Sequence, residues 1–299
     1  AQTLSYSIVG GADAAKFSIN ASTGALSFVT APDFEVPTDA GGNNVYDVTV
    51  QVSDGTLTST QAIAVTVTPV NDNTPAITSS ATASVAENTT AVMSVTATDA
   101  DLPAQTLSYS IVGGADAAKF AINASTGALS FVTAPDYEAP TDSGGNNVYD
   151  VTVQVSDGTL SSTQAIAVTV TPVNDNTPAI TSSATASVAE NSTAVMTVTA
   201  TDADLPAQTL SYSIVGGADA AKFSINSTTG ALSFVTAPDY ESPTDAGGNN
   251  VYDVTVQVSD GTLSSTQAIA VTVTPVNDNT PAITSSATAS VAENSTAVM

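Results

Sequence analysis

The sequence contains no cysteine, histidine, arginine or tryptophan. Without Cys or His there is no zinc ligand set, no thiol nucleophile and no imidazole to activate the abundant serines, so catalysis has little support. A Gly-rich phosphate loop opening a helix is missing as well. The lack of Cys also leaves the redox compartment open, and it is compatible with an extracellular domain that carries no disulfide. Basic residues are limited to Lys16, Lys119 and Lys222 against 28 acids, a net charge of -25. That balance argues against nucleic acid and anionic membrane surfaces as partners. No apolar run reaches the length of a membrane span, and no leader is visible at Ala1, so membrane insertion is not expected. Helical periodicity is nearly absent. Only Ala115 to Lys119 suits a helical turn, and Gly113-Gly114 before it marks a loop excursion.

Repetition is what the sequence has in place of these features. Ala1-Gln2-Thr3-Leu4-Ser5-Tyr6-Ser7 returns at Ala104 and at Ala207, an offset of 103 residues each time. That is the size of a small sandwich domain, and the chain reads as an array. Within Thr74 to Asn176, short runs alternate apolar and polar residues and are separated by Gly, Asn, Asp and Pro. Tyr149, Val151, Val153 and Val155 fall on one face, while Asp150, Thr152 and Gln154 fall on the other, the pattern of a half-buried strand. Similar runs cover 83–86, 93–97, 107–111, 120–122, 129–131 and 166–170. About seven short strands in roughly 100 residues predict an all-β, seven-stranded immunoglobulin-like Greek-key sandwich. Asn123 to Gly127 reads as a tight hairpin turn with Gly127 at positive φ. Ala139 to Asn147 reads as an exposed polar loop. The expected division is 1–73, 74–176, 177–279 and 280–299, with the first and last pieces incomplete. Ala1 aligns inside a repeat, and Met299 aligns with Met93 and Met196, so the sequence reads as a window on a longer array.

Between units lies Pro-Val-Asn-Asp-Asn-Thr-Pro, present at Pro69 to Pro75, Pro172 to Pro178 and Pro275 to Pro281. Asn, Asp and Pro are poor strand residues, so each run is a joint. A full repeat holds ten acids. Seven of them, Glu87, Asp99, Asp101, Asp136, Glu138, Asp157 and Asp175, cluster where strands begin or end, and strand ends of a sandwich gather at its poles. Asp116, Asp142 and Asp150 are the remainder and read as solvated. At the second joint the clustered acids are Glu87, Asp136, Glu138, Asp175, Asp202, Asp204 and Asp260. A like-charged pair at about 4 Å costs on the order of 4 kcal/mol at an effective dielectric of about 20. No Arg is present, and Lys119 lies elsewhere. A hard divalent cation with six to eight oxygen ligands is the natural neutraliser, and Asp-x-Asp and Asp-x-Glu pairs suit calcium better than magnesium.

These motifs resemble the cadherin repeat over the whole chain: Ala-Glu-Asn at 86–88, Asp-Ala-Asp at 99–101, Asp-Tyr-Glu at 136–138, Val-Ser-Asp at 155–157 and Asn-Asp-Asn at 174–176. The resemblance implies calcium between successive domains. At the second joint it assigns Glu87, Asp136, Glu138 and Asp175 to the upstream ions and Asn174, Asp202, Asp204 and Asp260 to the downstream ion, with backbone carbonyls of Val173 and Asn176 completing the shells. For the first joint it implies Asp33, Glu35, Asn71, Asp72, Asn73, Asp99, Asp101 and Asp157. For the third it implies Glu190, Asp239, Glu241, Asn277, Asp278 and Asn279. Pro69, Pro172 and Pro275 stand where the family carries a further carboxylate, which weakens the middle ion, while the ring restores some stiffness by fixing φ.

Near-identical copies rich in Ala, Ser, Thr and Val look like the cadherin-like arrays of large bacterial surface proteins. The expected function is a rigid, calcium-stiffened extracellular spacer at the cell surface, whose partners are neighbouring repeats and a homotypic or cell-surface partner. The alternative is a module that binds a partner repeat or a glycan directly, including head-to-tail completion of 1–73 by 281–299 of another molecule. The Asn-x-Ser/Thr triplets at Asn20, Asn88, Asn123, Asn191, Asn226 and Asn294 read as turns, and the three lysines as surface residues.

Overall fold

A computed structural model describes residues 2–298. The chain divides into two compact units, residues 1–173 and 174–299. Both are built from mostly antiparallel strands and short turns, and the expected all-β sandwich is what forms.

In the first unit, the repeat between Ala76 and Thr171 shows the architecture in full. One sheet orders its strands as Ser108–Gly113, Val148–Ser156, Ser161–Thr171 and Thr82–Ala86. The first three run antiparallel, and Thr82–Ala86 adds on in parallel with Ala167 opposite Thr82. The facing sheet consists of Phe120–Ile122, Ala128–Phe131 and Ala91–Ser94. Strand Val148–Ser156 forms because its β-branched and aromatic residues alternate with polar ones. Tyr149, Val151, Val153 and Val155 are accordingly buried while Asp150 faces solvent. Opposite them, Phe120 stacks on Phe131 at 4.5 Å, and Tyr149 meets Phe131 edge-on at 5.1 Å, arrangements that suit the aromatic quadrupole. The second unit repeats this pattern with strands Thr185–Ala189, Ser211–Gly216, Val251–Ser259 and Ser264–Thr274 in one sheet.

The expected run 93–97 is broken into Ala91–Ser94 and Ala97–Thr98. The register shifts earlier, at Val92 between Met93 and Ala91, and past Ser94 the pairing ends with Val95 N–H donating to Gly127 O. Gly127 takes φ 69 at the end of the expected turn, where Asn123 Oδ1 accepts the N–H groups of Ser125 and Thr126. Ala117–Lys119 is a single 3₁₀ turn. Gly114 before it has φ 106, and a Cβ there would lie 2.4 Å from Asp150 O, so no other residue fits. In residues 2–73 the sheet has only Ser5–Gly10, Val45–Ser53 and Thr58–Thr66, and Val50 and Ile63 are half-buried, while their counterparts Val153 and Ile166 are fully buried.

The expectation that Asp116 and Asp142 are solvated is corrected. Asp116 is only 5% exposed, and its carboxylate accepts the N–H groups of Ser143 at 2.7 Å and Asp150 at 2.9 Å. Asp142 accepts those of Asn146 and Asn147. Burial pushes the Asp142 carboxyl up, but the N–H groups of Asn146 and Asn147, with those of Asp142 and Gly144, hold the group below its ordinary value. The loop 139–147 is therefore organised around two buried carboxylates and is not a loose polar excursion. Removing one leaves buried amides without acceptors. Asp116→Ala should destabilise its repeat by about 2–4 kcal/mol and accelerate hydrogen exchange at the Ser143 and Asp150 amides. Unchanged exchange at both positions would contradict this account of the loop.

Candidate metal centre

The strand ends position the clustered acids. In the first unit, the Asn71-Asp72-Asn73 run and the turn after Ala97–Thr98 bring carboxylates together in two groups, each with ligand oxygens within 4.8 Å of one another. One holds Glu35, Asp72 and Asp101, and the other Asp99, Asp101 and Asp157. Asp101, at 1% exposure, belongs to both. Its Oδ1 accepts Asn73 Nδ2 at 2.7 Å, and its own N–H donates to Asp99 Oδ1 at 3.1 Å. Glu35 Oε1 accepts the N–H of Leu102 at 3.1 Å. Asp33 is in neither group. Its Oδ1 accepts the N–H groups of Glu35 and Val36, which makes it the keystone of its own turn.

The second group contains oxygens with nothing to accept. Asn71 Nδ2 donates to Gln105 Oε1 at 2.9 Å, which turns Asn71 Oδ1 the other way. That oxygen, Asp99 Oδ2 and Asp157 Oδ2 are all buried and without a hydrogen-bond partner. Buried acceptors are normally paired, so three orphans at one place are a feature to be explained.

The second unit reproduces the arrangement. Asp202, Asp204 and Asp260 form one group, and Asp202 Oδ2 is again buried and unpaired. Asn174 Nδ2 donates to Gln208 Oε1 at 2.9 Å, and Asn174 Oδ1 stands 3.2 Å from both Asp204 Oδ2 and Asp260 Oδ2. The contacts are satisfied when the Asn174 amide is turned, so that its nitrogen donates to Asp204 Oδ2 and Asp260 Oδ2 and its oxygen accepts from Gln208 Nε2. Asn176 donates from both its main-chain N–H and Nδ2 to Asp204 Oδ1, and Nδ2 also reaches Asp175 Oδ1. Further on, Glu190, Asp239 and Glu241 form a group, and Asn191 Nδ2 donates to Asp278 Oδ2 at 2.7 Å. Asn277, Asp278 and Asn279 are exposed.

Glu87 and Glu190 have a structural duty that the sequence did not disclose. Glu87, 2% exposed, accepts the N–H of Val173 at 2.6 Å and of Tyr137 at 2.7 Å. Glu190 accepts those of Val276 and Tyr240 in the same way. Asp136 Oδ1 caps its turn by accepting from Glu138 and Ala139 N–H groups. Val173 contributes its N–H to Glu87.

The electrostatics favour ionised carboxylates. Burial pushes Asp157 up, but the N–H groups of Thr159 and Leu160 and the Asn71 side chain outweigh it and hold the carboxyl below its ordinary value. Asp260 follows the same pattern through Thr262, Leu263 and Asn174. Asp204 is also raised by burial but lowered on balance, by the side chain and N–H of Asn176. Asp260's charge pushes Asp204 back up, a measure of the repulsion between them. All donors are hard oxygens on a charged, convergent set, the chemistry that suits calcium and not zinc.

Comparison with known proteins identifies the framework. The Cadherin domain family model matches residues 81–171 and 184–274, more than half of the chain. Human protocadherin Fat 1 is 34% identical over 296 residues, which cover 93% of this chain and 6% of that protein. Mouse cadherin EGF LAG seven-pass G-type receptor 2 is 32% identical over 299 residues, covering 94% of this chain and 10% of that protein. The chain therefore spans a small fraction of the relatives' length. Among solved structures, mouse cadherin-23 EC22-24 superposes with a TM-score of 0.63 at 25% identity, covering 92% of this chain and 87% of that one. Mouse protocadherin-24 EC1-3 shares the fold with a TM-score of 0.62 and 91% coverage of each chain. With sandwich topology, paired motifs and family match in agreement, the chain belongs to the cadherin family as a tandem array of its repeats.

Proposed function

We propose that these repeats are calcium-stiffened extracellular structural modules, serving as spacers in a cell-surface adhesion protein. The observation that carries the reading is the convergence of carboxylate oxygens of Asp99, Asp101 and Asp157, and of Asp202, Asp204 and Asp260, each set within 4.8 Å. The orphaned oxygens of Asn71, Asp99 and Asp157 support it independently. A divalent cation would satisfy all of these atoms at once and cancel the repulsion among the carboxylates, which the three lysines of the chain are too few to do.

In this reading Asn71, Asp99, Asp101 and Asp157 hold one ion, and Glu35, Asp72 and Asp101 take part in another. Asn174, Asp202, Asp204 and Asp260 are the counterpart of the first set, and Glu190, Asp239 and Glu241 belong to a further site. Asp33, Asp136, Glu138, Asp175 and Glu87 are further candidate ligands, and the Asn-Asp-Asn runs mark the repeat boundaries, near 73, 176 and 279. Cadherin proteins supply the extracellular adhesion setting. Near-identity of copies 103 residues apart favours a long uniform array of the kind carried by large bacterial surface proteins.

Asp99→Asn and Asp202→Asn separate this reading from a purely structural role. Without calcium, each substitution removes like-charge repulsion and should leave the melting temperature unchanged or slightly higher. With calcium, each should lower it, because the wild type gains about 2.7 kcal/mol per site at a hundredfold excess of ion over Kd. The same effect in both conditions would contradict the proposal. Solution scattering should show a narrower distribution of dimensions with calcium than with a chelator, and identical profiles would remove the stiffening role.

The pH dependence follows from the lowered Asp157, Asp204 and Asp260 carboxyls. Their folded values lie below the ordinary 3.8, so their contribution to stability is present above that value and is lost as pH falls through the folded one. Calcium affinity should therefore be flat from neutrality down to about pH 5 and fall steeply below about pH 4. An affinity that fell between pH 7 and 6 would point to other ligands.

A further inference from the structure

Each repeat carries a second concave site, which meets the cation reading only at Asp33, Asp136 and Asp239. In the first unit it lies between the 3₁₀ turn and the segment after strand Ala128–Phe131, with a volume of about 540 Å³. Equivalent cavities of about 330 Å³ and 530 Å³ open beside Lys16 and Lys222. Such volumes fall in the range of, or just above the lower limit for, small-molecule sites. The floor is Phe131 and Tyr149, both buried, and the rim carries Val132 at 63% exposure. Val132 N–H donates to Lys119 O at 2.8 Å, which pins the rim to the turn.

The polar groups are what make this pocket specific. Lys16, Lys119 and Lys222 are the only bases of a chain with net charge -25, and each lines one of the three cavities. Among the described residues, no hydrogen bond or ion pair reaches these ammonium groups. Asp136 lines the same cavity as Lys119 without pairing to it, and the Thr133 hydroxyl is free as well. A strong donor and a strong acceptor thus line one space together with apolar and aromatic surface.

An anion would satisfy the lysine but face Asp136 and the charge of the whole chain. A cation would meet the reverse conflict. A neutral ring with hydroxyls around its edge and C–H groups on its face conflicts with neither. We propose that the pocket formed by Lys119, Thr133, Asp136, Phe131, Val132 and Tyr149, and its two equivalents, binds a neutral pyranose sugar. A site in each repeat would let one chain engage a polysaccharide multivalently. Among the lining residues only Val36, Ala139 and Ser242 differ at equivalent positions, and Val36 accompanies the smallest cavity. The first repeat should accordingly bind most weakly.

The test is saturation-transfer NMR on the whole chain with the methyl glycosides of glucose, galactose and mannose, each at about 10 mM to reach weak single-site affinities, and with glucuronate for comparison. The expected result is transfer to at least one neutral glycoside and an affinity lowered roughly tenfold or more in the variant Lys16→Met/Lys119→Met/Lys222→Met, as loss of a charged hydrogen bond predicts. The corresponding Lys→Arg variant should retain most of the binding, and an unchanged melting temperature in both shows that the fold is intact. No transfer to any of the three neutral glycosides, equal transfer with the Lys→Met variant, or transfer to glucuronate alone would overturn the proposal. None of these lysines is a proposed cation ligand, so failure here leaves calcium binding measurable and failure of calcium binding leaves this test readable.

Discussion

Carboxylates crowded together without cations are the constraint on which this structure turns. The chain has 28 acids and three lysines, and the repeat does not spread the acids evenly. Asp99, Asp101 and Asp157 place ligand oxygens within 4.8 Å of one another, and so do Asp202, Asp204 and Asp260. The neighbouring main-chain amides keep several of these groups ionised and do not let a proton relieve the repulsion. Folding alone therefore concentrates negative charge at the ends of the repeats, and the proposed calcium ions are the missing half of the electrostatics.

The acids serve two ends that differ in what their oxygens meet. Asp116, Asp142, Glu87 and Glu190 accept backbone N–H groups and tie loops to strands. Asp99, Asp157 and Asp202 each keep one buried oxygen with no donor. The first set ties the fold together, and of these Glu87 and Glu190 also belong to the converging acidic groups. The second is satisfied only by something added, and it stands on the rigid ends of strands, where its geometry is set before any ligand arrives.

Much of this was legible in the residues. The period of two in Val148–Ser156, the Gly127 turn and the 103-residue offset give the sandwich and its repetition directly, because burial on one face imposes that alternation. The clustered acids were legible because Asp-x-Asp and Asn-Asp-Asn have no use in a strand. What the sequence concealed were the contacts across long separations. Asp116 looks solvated from its loop position, yet its partner Asp150 is 34 residues away. Glu87 reads from the sequence only as a ligand, and its hold on the N–H of Val173, 86 residues on, is hidden. Asn71 and Asn174 reveal their role only through the glutamines that orient their amides. The break after Ser94 was hidden as well, since Val95 and Gly127 meet only in the folded register.

The central claim is that the converging oxygens are calcium ligands, and equilibrium dialysis of the intact chain against labelled calcium tests it most directly. The account predicts saturable binding of several ions per chain, at affinities of about 10⁻⁴–10⁻³ M as for other extracellular modules, resistant to an equal concentration of magnesium. Binding that never saturates and tracks only net charge, or that magnesium displaces equally, would contradict it.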